Sequence, residues 1–192
     1  MRNRGNVATV LLLAAAALPT SGAAQEADAA SLMASEKSAI ARLAWMDGEW
    51  RGQAVTQTAS GEHRVTQTER IGNLLDGTVK LVEGRAFNPD GSTGFNAFGV
   101  ISFDPAQQAY TFRAHTQGQA GSFVMTPTDS GYAWEIPAGP MTIRYTATFA
   151  EGTWTEIGER IVPGRDPARF FEMHLRRVGD SAWPAAGALT AR

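Results

Sequence analysis

The sequence predicts an all-β protein, an antiparallel up-and-down barrel of about ten strands with a short helix before the first strand. Three observations support this prediction. From residue 49 onward, turn-forming residues recur at short intervals, apolar and polar residues alternate between the turns, and no helical pattern intervenes. Strands that recur about every 8–12 residues without intervening helices are typical of antiparallel sandwiches and barrels.

The N-terminus has the pattern of a cleavable secretory signal. Arg2 and Arg4 precede an uncharged apolar run from Val7 to Leu18, and small residues follow up to Ala24. This run is shorter than the about 20 residues that a membrane-spanning helix needs. We therefore expect a signal peptide over residues 1–24, a periplasmic or secreted location, and no stable membrane insertion after cleavage.

One short helix is expected between the signal and the first strand. Residues 25–34 are small and polar, and we interpret them as a flexible lead-in. A helix is predicted over residues 35–45, because Ser35 can cap it and because Ile40 and Leu43 recur at helical spacing.

Nine turn signals divide the rest of the chain into ten strand candidates. Glycine accepts the positive φ that tight hairpin turns demand. Short connections favour a closed barrel over two open sheets, because closure removes exposed strand edges. The barrel domain is expected to span residues 35–180, followed by a disordered, Ala-rich tail over 181–192. The turn signals are Ser60-Gly61, Asp76-Gly77, Asn88 to Gly91, Asp104-Pro105, Gly118 to Gly121, Asp129 to Gly131, Pro137 to Pro140, Glu151-Gly152 and Pro163 to Pro167.

Alternation along each strand predicts which side chains face the interior. A barrel of about ten strands leaves an interior wide enough for a small ligand. The apolar side chains assigned to the interior are Val79, Leu81, Phe87, Tyr110, Phe112, Ala114, Met141, Ile143, Tyr145, Ala147, Phe149, Phe171, Met173 and Leu175.

Four charged side chains share the parity of these interior faces, namely Glu69, Glu83, Arg85 and Glu156. A carboxylate inside a barrel is costly unless it is paired or hydrogen-bonded. Carboxyl groups that share a dry interior tend to hold a proton, which could supply a general acid and base or anchor a ligand's hydroxyl, amide or amine. A structural Glu–Arg network, or a position at strand ends in water, is the alternative. The candidate ligand-binding residues are Glu69, Glu83, Arg85, Phe112, Trp134, Tyr145 and Glu156.

Composition and motifs exclude several classes of function. The chain has no cysteine, which excludes disulfides, thiolate metal sites and a cysteine nucleophile. A net charge of −2 gives no electrostatic footprint for nucleic acid. No phosphate-binding, dinucleotide-binding or hydrolase motif occurs, and the three histidines lack metal-ligand spacing. We therefore expect no metal and no cofactor, and the catalytic residues stay unassigned.

The stretch from Trp45 to Gly52, Trp-Met-Asp-Gly-Glu-Trp-Arg-Gly, places a Gly-x-Trp pattern at the start of the first strand. It resembles the corresponding motif of lipocalin-like barrels, whose tryptophan closes the barrel floor under an arginine of the last strand. The resemblance implies that Trp50 and either Arg176 or Arg177 form a structural floor.

Further segments resemble a family of bacterial secreted proteins of unknown function with the same lipocalin-like (calycin) architecture. The resemblance implies the fold and no particular activity. The strand count is also similar to that of nitrobindin-like haem barrels, which use a histidine near the C-terminus. Here the sole candidate is His174, whose parity points outward. The resembling segments are Leu75 to Gly84, Ile101 to Pro105 with Tyr110 to Phe112, Trp154 to Arg160, and Phe171 to Val178.

The function predicted from the sequence is the binding of a small, largely apolar ligand inside the barrel of a secreted protein. The aromatic-rich interior with few polar groups supports it, as small-molecule sites usually show this composition. Two alternatives stay open: an enzyme using Glu69 or Glu156 as general acid or base, and a packed barrel that acts through a protein partner. The ligand's identity and the oligomeric state are not specified by the sequence.

Overall fold

The computed structural model describes residues 21–189 and shows a closed barrel of ten antiparallel strands joined in sequence order. Each strand pairs with its sequence neighbours, and β1 pairs with β10 to close the ring. The predicted fold class is therefore confirmed. Residues 1–20 and 190–192, which include most of the predicted signal peptide and the end of the predicted tail, lie outside the described residues. The strands are β1 Gly48–Thr58, β2 Gly61–Leu74, β3 Val79–Phe87, β4 Thr93–Asp104, β5 Ala109–Thr116, β6 Gln119–Thr128, β7 Gly131–Ala138, β8 Met141–Ala150, β9 Thr153–Ile161 and β10 Ala168–Gly179.

The connections between strands fall at the nine predicted turn signals. Gly91 and Gly152 show why: both adopt positive φ, at 84° and 73°, in the turns before β4 and β9. Such backbone angles are strained for residues that carry a Cβ atom. Short turns of this kind pair each strand with the next one along the chain.

The helix begins earlier than the sequence pattern indicates. The helix α1 covers Ser21–Ala41, which includes the segment interpreted as a flexible lead-in. Residues 25–34 are exposed, and burial begins near its C-terminal end at Ala39 and Ile40. A 3₁₀ turn, Ala44–Met46, then leads into β1. Among the described residues, no helix is both long enough and apolar enough to cross a membrane.

The end of α1 and this 3₁₀ turn enter one end of the barrel and close it. Ile40, Leu43 and Met46 are buried in the main hydrophobic cluster. The Tyr110 hydroxyl donates a hydrogen bond of 2.9 Å to the carbonyl of Ala39, which fixes the helix end to β5. The closed end of the barrel is therefore filled by residues that precede the first strand.

The strand register fixes which side chains point inward. The predicted facing is confirmed on β5, β8, β9 and β10, where the partners of Tyr145, for example, are the inward Trp134 and Gly158. On β3 the predicted facing of Val79, Leu81 and Phe87 is wrong. Because Glu69 pairs with Gly84, the inward residues of β3 are Lys80, Val82, Gly84 and Ala86.

Burial of the outer face of β3 explains this error. Leu81 points outward but is only 9% exposed. Its register partner on β2 is Gly72, and a Cβ atom on Gly72 would lie 2.0 Å from the carbonyl oxygen of Trp183. The segment around Trp183 thus covers this part of the barrel wall from outside. Alternation cannot identify the interior where both faces of a strand are buried.

Trp183 and Pro184, within the segment predicted as a disordered tail, therefore contact the outer face of β2. The Arg70 guanidinium lies 4.5 Å from the centroid of the Trp183 ring. A cation–π contact of this kind adds to the packing of the segment on β2.

Candidate functional site

The closed end of the barrel forms a packed floor of apolar side chains. Trp50 and Trp154 are 1% and 2% exposed, and their rings meet edge to face at 5.6 Å. Trp45 adds a second edge-to-face contact with Trp154 at 5.4 Å. The Trp50 indole donates 2.8 Å to the carbonyl of Met46. We define the floor as Ile40, Leu43, Trp45, Met46, Trp50 and Trp154.

Hydrogen bonds among three polar residues connect the floor to β2 and β3. The Lys80 side chain is fully buried, and its ammonium binds the Asp47 carboxylate and, at 2.7 Å, the Asn73 side-chain oxygen. Burial lowers the pKa of Lys80, and the contact with Asp47 opposes that effect. The sequence analysis missed Lys80 because the facing of β3 was predicted in reverse. We call Asp47, Asn73 and Lys80 the latch.

The two arginines implied for the floor occupy different faces. Arg177 lies opposite Trp50 in the register, and its Nε donates 3.0 Å to the carbonyl of Asp47. Arg176 lies opposite the outward-facing Arg51. Arg177 thus contacts the polypeptide beside the floor, whereas Arg176 points away from it.

Above the floor, aromatic side chains line one side of the interior, which we call the lumen. The rings of Trp134 and Tyr145 stack at 4.8 Å with an interplanar angle of 14°. Phe112 meets the edge of Trp134 at 5.1 Å, and Phe171 meets Tyr145 at 5.9 Å. These four residues form the aromatic wall, and three of them were predicted from the sequence as ligand-binding candidates.

All four side chains of the aromatic wall point inward, yet they are only half-buried. A side chain at mid-strand that faces inward and still has accessible surface must border a space that a water-sized molecule can enter. At the end opposite the floor, inward residues of four strands are exposed to solvent, which indicates an open end; they are His63, Phe95, Gln119 and Arg160. The lumen is therefore a partly apolar space with a sealed floor and an open mouth.

Two carboxyl groups project into this lumen from opposite sides of the β1–β10 pair. Glu69 on β2 accepts a hydrogen bond of 2.7 Å from the Gln67 side chain. Glu156 on β9 accepts one of 2.6 Å from the Tyr132 hydroxyl. None of the nine ion pairs within residues 21–189 includes either carboxyl group. We call Glu69 and Glu156 the carboxyl pair.

Burial dominates the electrostatics of the carboxyl pair. It raises the pKa of Glu69 to about 8, with a further increase from the nearby charge of Glu156, although the Gln67 hydrogen bond opposes this. It raises the pKa of Glu156 to about 7 against the hydrogen bond from Tyr132. At neutral pH Glu69 is therefore mostly protonated and Glu156 about half protonated, whereas ordinary glutamates are ionised.

Gly84 makes room for one member of the pair. A Cβ atom at this position would lie 2.8 Å from Oε1 of Glu69. The sequence analysis missed both Gly84 and Tyr132 as parts of the site. The parity that Tyr132 shares with Trp134 on β7 was the available signal, whereas no local pattern marked Gly84.

Glu83 and Arg85 lie outside the lumen, so the predicted inward facing of these two residues is wrong. Glu83 faces outward on β3 and forms ion pairs with Arg70 at 2.7 Å and with Arg85 at 2.8 Å. Partial burial acts to raise the pKa of Glu83, but the hydrogen bonds from Arg85 and Arg70 outweigh it and lower the pKa. These residues form the Glu–Arg network that the sequence left as an alternative.

His174 lies on the outer face of β10. Its Nε2 contacts the Glu172 carboxylate at 2.8 Å and its Nδ1 lies 3.1 Å from the Thr155 hydroxyl. A group held in the lumen cannot reach this ring, so the residues do not fit a haem ligated through His174. Within residues 21–189 no cluster of three or more histidine, aspartate or glutamate side chains is arranged to hold a metal ion.

No protein-family model matches the chain, and no curated protein is significantly similar to it. The closed antiparallel barrel of ten strands is compatible with a lipocalin-like fold. The site must therefore be interpreted from its own geometry.

Proposed function

We propose that this is a secreted or periplasmic protein that binds a small, largely apolar molecule in the lumen of its barrel. The observation that carries the proposal is the aromatic wall, whose inward side chains remain half-buried above a sealed floor. Apolar pockets with a few convergent polar groups are the usual form of small-molecule sites. The signal-like N-terminus and the Gly-x-Trp pattern support a place among secreted lipocalin-like proteins.

The open mouth gives a ligand its route into the lumen. A molecule entering there meets the aromatic wall first and the carboxyl pair with Tyr132 deeper in the barrel. Burying an apolar ligand against these rings contributes roughly 25 cal/mol per Å² of apolar surface removed from water, before the costs of association. The floor stays closed, because its side chains are already packed against one another.

A pair of tryptophan substitutions tests this proposal. Ala114 points inward on β5, between the inward Gly99 and Gly121, whereas Val124 on β6 is 70% exposed. Calorimetric titration with 1-naphthylmethanol, a neutral aromatic probe, is expected to show binding that Ala114→Trp weakens by at least about tenfold. Val124→Trp should leave the affinity unchanged. Equal effects of the two variants, or no binding by the parent protein, would overturn the proposal.

The carboxyl pair favours a second candidate function, general acid–base catalysis on a small substrate. Glu69 and Glu156 hold protons near neutral pH and differ in their hydrogen-bond partners, which suits an acid and a base in one pocket. Turnover that Glu156→Gln abolishes while substrate affinity is retained would favour catalysis over simple binding.

A further inference from the structure

The carboxyl pair has no cationic partner among the described side chains. Arg177, the inward arginine of β10, binds the carbonyl of Asp47 beside the floor. Arg160, which points inward on β9, is exposed at the mouth, with its guanidinium 4.4 Å from the centroid of Phe170. It is not ion-paired with either member of the carboxyl pair within the part of the chain that the structure describes. This contrasts with Glu83 on the outer face, which has two arginine partners.

Each carboxyl group also has an oxygen free to bind something else. The described hydrogen bonds use Oε1 of Glu69 and Oε2 of Glu156. Among the described residues, the one buried and unpartnered side-chain polar atom is Nε1 of Trp154. The second oxygen of each carboxyl group therefore faces accessible space, where an incoming group can reach it.

Trp154, buried in the floor, has an indole N–H that makes no full hydrogen bond with the protein, although it lies close to the Tyr132 hydroxyl. Its ring lies edge to face with Tyr132, whose hydroxyl binds Glu156, at a centroid distance of 6.3 Å. A buried donor without a partner costs free energy, and protein interiors satisfy such atoms with water or ligand. The Tyr132 hydroxyl thus lies between the Trp154 indole and Glu156, and each member of the carboxyl pair keeps one oxygen without a described partner.

We propose that the ligand of this lumen carries a cationic amine, and that its ammonium group binds between Glu69 and Glu156. The inference rests on the proposed binding function and specifies the chemical class of its ligand. The charge of Glu156 acts on Glu69, so the two carboxyl groups are near each other, and an ammonium has three donors and no acceptor with which to bind carboxyl oxygens. The apolar part of the ligand then lies against the aromatic wall, whose ring faces also attract a positive charge.

A neutral hydroxyl matches the site less well. It can donate only one hydrogen bond and brings no charge to two carboxyl groups that raise each other's energy when both ionise. A carboxylate ligand is disfavoured further, because it would add a third acidic group to the same low-dielectric space. The geometry therefore predicts a ranking of amine, then alcohol, then carboxylate on one aromatic skeleton.

The experiment is a calorimetric titration of the full-length protein with 1-naphthylmethylamine, 1-naphthylmethanol and 1-naphthoate at neutral pH. The amine is expected to bind at least about tenfold more tightly than the alcohol, and the carboxylate more weakly than both. Glu69→Gln should weaken amine binding about tenfold while changing alcohol binding less than about twofold. Glu62→Gln, at an exposed and outward position of the same strand as Glu69, is the matched control and should change neither.

The outcomes separate the two proposals. If the alcohol binds and Ala114→Trp weakens it, but the amine binds no more tightly, the amine inference is overturned and the binding function stands. If neither compound binds in a manner sensitive to Ala114→Trp, both proposals fail. If Glu69→Gln weakens the binding of the amine and of the alcohol equally, the Glu69 side chain affects the shape of the lumen and does not bind the ammonium group. The inference is then also overturned.

Discussion

Trp50 at the floor and Trp134 in the lumen both point into the barrel, but their surroundings differ. Trp50 is sealed between neighbouring rings, and its N–H is satisfied by the backbone of Met46. Trp134 stacks on Tyr145 on one side and borders accessible space on another. The same residue type therefore contributes to stability at one level of the barrel and to a binding surface at another.

The polar residues of the two regions differ in the same way. In the latch, the buried ammonium of Lys80 has two oxygen partners. In the lumen, the carboxyl pair has neutral partners and holds protons instead. A charge that is satisfied within the fold supports structure, whereas one without a counter-ion can be used by a ligand.

Removing each tryptophan ring is the most severe way to test this comparison. Trp50→Ala should lower the free energy of unfolding by about 3–5 kcal/mol, because it opens a cavity in a packed region. Trp134→Ala should cost clearly less and weaken lumen binding instead, because part of its surface already faces solvent. Urea unfolding of both variants provides the measurement. Equal losses of stability would show that the lumen is packed as tightly as the floor.

Substitutions of Asp47 and Lys80 in the latch provide a second test of this comparison. Asp47→Ala leaves the buried Lys80 ammonium without its carboxylate, which should cost about 2–3 kcal/mol, reduced from the fully buried case because Asp47 is one third exposed. Lys80→Met removes the charge and keeps an apolar side chain of similar length, so it should cost less. Thermal or urea unfolding compares the two. A larger loss for Lys80→Met would refute the assigned role of Asp47.

Much of the fold could be predicted from local sequence. Turn signals mark every strand connection, and alternation gives the correct interior on β8 and β10, where apolar inward side chains alternate with polar outward ones. The same reasoning placed Glu69 and Glu156 inside. These predictions depend on residues that are close in the sequence, where turn residues and apolar–polar alternation are directly visible.

The errors have a long-range cause. The facing of β3 was reversed because Leu81 points outward and is nevertheless buried, beside Gly72 of β2, which Trp183 contacts from about 100 residues downstream. Glu83 and Arg85 were misplaced by the same reversal, and Lys80 was missed through it. The neutral partner of Glu156 could not be foreseen either, because Tyr132 reaches it across β8.

The last prediction concerns pH. The unfolded chain releases protons from Glu69 and Glu156 near their ordinary pKa of 4.5, whereas the folded protein keeps them until about 8 and about 7. The folded state thus binds more protons between these values, so the free energy of unfolding should fall as pH rises from about 5 to about 8. The slope should reach at most about 1.4 kcal/mol per pH unit for each group.

Matched variants isolate this contribution from the other titrating groups. Glu69→Gln should make the decline shallower and remove it between about pH 7 and 8, where Glu69 alone still holds its proton. Glu62→Gln should keep the parent slope in this range, because Glu62 is exposed and the hydrogen bonds from Gln57 and Arg64 lower its pKa. Urea unfolding at intervals from pH 5 to pH 8 supplies the measurement. A parent protein whose stability stays constant over this range would mean that the carboxyl pair is already ionised and charge-compensated, in which case the lumen would have no unmatched acidic groups for a ligand to bind.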